Sequence, residues 1–244
     1  MRILAICSYN GKNYQGWQKQ PNAPTVQEEI EKQLSKYFNR PISIQGAGRT
    51  DAGVHALGQR FHFDIDEESL DLDRLLYSIN LMLPEDIKIV DLEEVEPDFH
   101  ARFSAKGKIY CYNVLLESKD VLFGHIFYLF PYDMDADKLN EALTHFVGKH
   151  NFKNFTSKET DEDNFVRTIN DIDMQVNGKE ITITFDGDGF MRYMIRYIVG
   201  TALEYARGRL TAHEIDDLLD ENSERNIVSW KAPASGLMLV DVKY

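Results

Sequence analysis

The sequence predicts an α+β protein built of two ferredoxin-like (βαββαβ) halves, residues 1–100 and 101–244, whose antiparallel sheets join side by side around a central cleft. Three observations lead there. Some stretches alternate apolar and polar residues, the mark of a half-buried strand; others repeat apolar residues at helical spacing. The order of the two kinds occurs once and then recurs along the chain. Finally, 43% of the 244 residues are hydrophobic, ample for a packed core and too rich for disorder.

The first strand is Arg2 to Ser8, leading into an aromatic loop, Tyr9 to Gln20. A helix starts at Thr25, where Thr25-Val26-Gln27-Glu28 reads as a capping box. Val26, Ile30, Leu34 and Phe38 form its inward stripe, and Pro41 ends it. Strands at Ile42–Gln45 and Gly58–Ile65 then flank a loop, Gly46 to Ala56. A second helix covers Leu70 to Met82, with Leu72, Leu75, Leu76 and Ile79 inward, and a fourth strand covers Asp86 to Glu96.

The second half repeats the order. Ser104–Leu116 is a strand and Ala136–Val147 a helix. Phe165–Val176 and Glu180–Asp186 form a hairpin around Asn177-Gly178. An apolar helix follows over Phe190–Ala206, and a final strand over Gly236–Lys243. Thr211-Ala212-His213-Glu214 caps an extra short helix.

Composition excludes several classes. Cys7 and Cys111 are far apart and in no C-x-x-C pair, which speaks against a disulfide framework or a cysteine-rich zinc site and fits a reducing, cytoplasmic setting. No leader peptide and no membrane-spanning run is expected. There is no P-loop, G-x-G-x-x-G, H-E-x-x-H or G-x-S-x-G, and the seven histidines show no metal-ligand spacing. A net charge of −13 opposes a nucleic-acid partner at first sight. Its distribution softens that: residues 61–100 alone carry thirteen acids against Arg74 and Lys88, whereas residues 1–60 carry eight Lys/Arg against four acids. A basic face elsewhere is compatible with the total.

The loop 46–56, Gly-Ala-Gly-Arg-Thr-Asp-Ala-Gly-Val-His-Ala, is longer than a hairpin needs and carries charge that turn geometry does not require. Its Asp51 is an anion at neutral pH, since a carboxyl of pKa about 3.9 is lowered further, by roughly one to three units, beside an arginine. It is thus suited to act as nucleophile or base. Two arginines are candidates for its partner. Arg49 is local; Arg196 sits in the apolar helix, where a guanidinium is rarely buried without an anion. Tyr110, near Lys106 and Lys108, could stack on a nucleobase or simply pack across strands.

The stretch Gly48-Arg49-Thr50-Asp51-Ala52-Gly53-Val54-His55-Ala56 resembles the signature of the tRNA pseudouridine synthase A family. Asn13-Tyr14-Gln15-Gly16-Trp17-Gln18, Arg102-Phe103-Ser104-Ala105, Lys108 to Tyr112, Met194 to Gly200 and Ala232 to Leu237 are similar to its further patterns. Arg192 and Tyr193 stand where the family often has histidines, and Tyr197 where it often has asparagine.

The resemblance implies conversion of uridine to pseudouridine in the anticodon stem-loop of tRNA, at positions 38, 39 and 40, by a homodimer without metal or cofactor. By it Asp51 is catalytic, Arg196 its ion-pair partner, Tyr110 the residue stacked on the uracil, Arg49 a displacer of the target base and Leu237 a pocket wall. Whether Asp51 attacks C6, attacks C1′ or takes a C2′ proton stays open. The alternatives are a paralogous synthase of shifted RNA specificity, a non-catalytic RNA-binding protein, and a hydrolase pairing Asp51 with Asp64 or Asp66.

Overall fold

Strand β1 (Arg2–Tyr9) pairs antiparallel with β3 (His55–Asp64) on one side and with β4 (Ile87–Val95) on the other. The computed structural model describes residues 1–67, 69–116, 124–157 and 164–244. It divides into two units, Met1–Lys106 with Met238–Tyr244, and Gly107–Leu237.

In the first unit the outer edge of β3 is shared. The two-residue β2 (Gln45–Gly46) pairs antiparallel with it at His62 and Phe61, and β10 (Leu237–Lys243) runs parallel to it at His55 and Ala56. The order β4-β1-β3-β2 is that of a ferredoxin-like sheet. Helix α1 (Val26–Phe38) buries Val26, Ile30 and Leu34, with Phe38 half-buried, and α2 (Leu72–Met82) buries Leu75 and Ile79. Thr25 accepts the Glu28 N–H, while the reciprocal arm of the expected capping box is not made; α2 is capped by Asp71, which accepts the Arg74 N–H at 2.9 Å.

The strand expected at Ile42–Gln45 shrinks to its last residue, for a definable reason. Ile42 and Ile44 are buried as the alternation implies, but their backbone groups bond to α1 side chains. The Ile42 N–H donates to Ser35 Oγ (2.9 Å) and the Ile44 N–H to Glu31 Oε1 (3.1 Å), while Gln27 Nε2 donates to the Ile44 carbonyl (3.2 Å). Backbone groups so bonded are spent and have no ladder to join.

The second unit has β5 (Gly107–Leu116), β9 (Glu180–Gly187), β8 (Val166–Asn177) and β7 (Gly148–Asn151) in that spatial order, antiparallel throughout, with β6 (Tyr128–Phe130) parallel to β5. β8 and β9 are the expected hairpin, with Gly178 at φ +61° in its turn. The brief β6 and β7, of three and four residues, are too short to show a period in the sequence. Helices α3 (Ala136–Thr144), α4 (Met194–Ala206) and α5 (Ala212–Leu219) complete the unit. α5 carries the full predicted capping box between Thr211 and Glu214. α4 starts four residues later than its apolar pattern suggests, because Tyr193 has φ +65°, outside the helical region.

The C-terminal strand, read from sequence as the close of the second half, is grouped with the first unit along β3. Alternation announces a strand but not the edge it will find.

Candidate active site

The Asp51 loop is held from beneath by the aromatic loop that follows β1. Trp17 N–H donates to the Thr50 carbonyl (3.1 Å), and Gly53 N–H to the Tyr14 carbonyl (3.3 Å). The hydroxyls of Tyr9 and Thr50 meet at 2.8 Å in a buried contact, and Gly11 N–H donates to His55 Nδ1 (3.1 Å). A tight turn inside the loop closes by Val54 N–H to the Asp51 carbonyl (3.1 Å). Thr50 and Gly53, one residue before Asp51 and two after it, are therefore anchored through backbone, and the Asp51 residue itself is left partly accessible.

This clasp needs Gly16. Its φ is +96°, and a Cβ there would lie 2.6 Å from the Thr50 carbonyl oxygen and 3.1 Å from the Asp51 carbonyl carbon. Any larger residue would both strain its own backbone and push the loop away. Trp17 is buried between Tyr9 (centroids 6.0 Å apart) and Phe61 (5.9 Å), which ties the clasp to β3. Burying a ring of this size is worth roughly 2–3 kcal/mol.

The aromatic loop has its own support. Asp86, at the entry to β4, accepts from Tyr14 Oη (2.6 Å) and Asn13 Nδ2 (3.2 Å), and its carbonyl takes the Asn10 N–H (2.9 Å). Burial and the Asp86 carboxylate both push the Tyr14 phenol well up, so it stays a donor. Sequence reasoning missed Asp86, since nothing local distinguishes it from its acidic neighbours.

Arg49 is exposed, and its guanidinium makes no ion pair among the described residues. The acids considered for a hydrolase are spent elsewhere. Asp64 takes two bonds from Arg2 (2.7 and 2.8 Å) at the far end of β3, nine residues and roughly 30 Å of strand beyond His55. Asp66 is paired with Arg40.

In the second unit, Tyr110 is buried on β5 opposite Phe185 and meets Phe190 edge-on at 5.3 Å. Arg196, in the first turn of α4, is half-buried; its Nε donates to the Ala232 carbonyl (2.8 Å), and its own carbonyl accepts the Ala232 N–H (3.0 Å). It therefore does not extend to water as a helix-end arginine would. Leu237 is buried directly after the turn Ala234–Gly236. Asp51 and Arg49 thus belong to one unit, and Tyr110, Arg196 and Leu237 to the other.

The family model described as "tRNA pseudouridine synthase" matches residues 5–104 and 142–244. The chain belongs to the tRNA pseudouridine synthase family. The matched spans of the synthase model include Arg49, Asp51, Arg196 and Leu237 and leave out Tyr110. Similar curated proteins, each called tRNA pseudouridine synthase A, come from Acetivibrio thermocellus (40% identical, 99% of both chains), Exiguobacterium sibiricum (39%, 100% of this chain and 96% of that one) and Anoxybacillus flavithermus (39%, 100% and 98%). These synthases thus span Tyr110 as well. Among solved structures, a chain of "Crystal Structure of a Cbf5-Nop10-Gar1 Complex" aligns with TM-score 0.40 at 12% identity over 82% of this chain and 54% of that one, too weak a likeness to bear on the fold. None of the described helices is long and apolar enough to cross a membrane.

Proposed function

We propose that this synthase converts uridine to pseudouridine in the anticodon stem-loop of tRNA, with Asp51 as its catalytic carboxylate. The reaction breaks C1′–N1, turns the uracil and joins C5 to C1′; N1 gains a proton and C5 loses one. It calls for an anion at the sugar or ring, a base for the C5 proton and a pocket that retains the loose uracil. The observation that carries the reading is the clasp on Asp51: backbone bonds at Thr50 and Gly53 fix a carboxylate whose position turn geometry alone would leave loose.

In this reading Arg196 pairs with the Asp51 carboxylate, Tyr110 stacks on the target base and serves the C5 proton, and Leu237 walls the uracil. The exposed, unpaired guanidinium of Arg49 suits a part in displacing the base from its stack, a step costing a few kcal/mol. The working form is a cytoplasmic homodimer.

Release of tritium from C5-labelled tRNA tests it, because the C5 hydrogen is lost once C5 has joined C1′. The Asp51→Asn variant is expected to bind tRNA within about twofold of the parent while its turnover falls by ~10³-fold or more, as loss of an essential nucleophile or base does. Turnover close to the parent's would remove Asp51 from the role.

A further inference from the structure

Tyr193 holds φ +65°, a backbone conformation that a bulky side chain adopts only when its surroundings enforce it. Three cations surround its ring: the Lys231 ammonium at 4.2 Å from the centroid, the Arg192 guanidinium at 4.8 Å and that of Arg196 at 5.2 Å. Each is pinned through its backbone. The Arg192 carbonyl accepts Thr156 Oγ1–H (3.0 Å). Lys231 is fixed from both sides, by the paired bonds between Ala232 and Arg196 and by the Trp230 carbonyl, which packs where a Cβ on Gly200 would lie 2.1 Å away.

Arg192 and Lys231 are exposed, and neither makes an ion pair with an acid among the described residues. A cation over an exposed ring gains a modest attraction from its face, and like charges gathered on one ring repel one another. An anion on the patch would relieve that repulsion and add attraction of its own. In a chain of net charge −13 such a concentration is out of keeping with the composition.

The donors also suit one anion in particular. Arg192 donates to Tyr193 Oη (2.9 Å), so the phenol's own O–H is turned away from that guanidinium. An oxyanion there would meet an ammonium, the remaining guanidinium N–H groups and a hydroxyl donor. The patch lies open on the surface, which fits a link in a long polyanion better than a small ion that needs enclosure.

We infer that Arg192, Tyr193 and Lys231 form a grip for one phosphodiester of the substrate's backbone, an inference that rests on the substrate being RNA. Arg192→Gln, Lys231→Gln and the double variant test it, with tRNA dissociation constants measured across a salt series beside kcat and KM from tritium release. In the double variant KM and Kd should rise about fivefold or more. The slope of log K against log salt should flatten by about one, as loss of one phosphate contact requires. The kcat should stay within about twofold. Tyr193→Phe, which keeps the ring and loses the donor, should raise Kd about twofold.

An unchanged Kd and slope in a double variant that melts like the parent would overturn the grip, as would excess inorganic phosphate binding the parent but not the double variant while RNA binding is identical in both. The two readings fail separately. A parent that turns over, with variants of unaltered slope, loses only the grip. A parent that releases no tritium, with variants that lose RNA and flatten the slope, loses only the synthase assignment.

Discussion

The loop around Asp51 and the turn around Tyr193 hold charged groups in opposite ways. The first positions a single carboxylate by backbone: Trp17 to Thr50, Gly53 to Tyr14 and a buried hydroxyl pair beneath. The second gathers two exposed cations and a half-buried one on one ring by side chain, with backbone bonds only behind them. A group that must meet a reacting atom needs a position fixed to fractions of an ångström. A group that meets a flexible polyanion needs charge within reach, and gains from a side chain that can follow its partner.

That contrast can be broken most severely at the glycines behind each region. Gly16→Ala adds a Cβ at positive φ, 2.6 Å from a carbonyl of the clasp. A loss of about 3 kcal/mol in denaturant titration is expected, together with a kcat deficit at saturating tRNA. A Gly16→Ala enzyme with parental kcat would mean that the clasp does not position Asp51.

Gly200→Ala is the counterpart in the second unit, with its added Cβ 2.1 Å from the Trp230 carbonyl but no unusual φ to strain. About 2 kcal/mol should be lost. The defect should be mixed, since both Arg196 and Lys231 are disturbed: raised KM as well as lowered kcat. A purely kcat effect would count against the link through Lys231.

Tyr9→Phe removes one partner of the buried hydroxyl pair and should cost ~1 kcal/mol of stability, with binding of tRNA untouched.

Acid titration gives a gentler comparison. His62, on β3 of the first unit, is buried, and its Nδ1 accepts the Ala101 N–H at 3.1 Å, which requires the neutral ring. Burial first, then Arg2 and His100, lower its pKa from 6.5 to about 4. Below 6.5 the unfolded chain takes up a proton that the folded chain refuses, so stability should fall progressively from about pH 6.5 toward 4 and be unaffected above that window. A His62→Gln variant should lack this part of the acid loss in thermal melts; an identical pH profile would assign the loss to other groups.

Much of this was legible beforehand, and the exceptions share a cause. Thr211 and Glu214 announced their helix because a capping box is a local exchange of bonds. Ile42 and Ile44 announced their burial, yet their strand does not form, because Ser35, Glu31 and Gln27, seven to seventeen residues back, take the backbone groups first. Lys231 lies in a stretch without periodicity; it matters through a ring thirty-eight positions earlier. Asp86 is one acid in an acidic run by sequence, and only the bonds from Tyr14 and Asn13 distinguish it.

What the sequence by itself determined, then, was the kind and order of the principal elements, the presence of a charged loop between two strands, and the residue types available for chemistry there. These depend on interactions within a turn or two of chain, or on the amphipathic period, and such information is local. Only the tertiary structure decided which edge of β3 the C-terminal strand would take, which side chains would claim the backbone at Ile42 and Ile44, and which cations would gather on Tyr193. Those outcomes are competitions between partners distant in sequence for the same donor, acceptor or ring, and they are settled by the packing that brings one of them within reach.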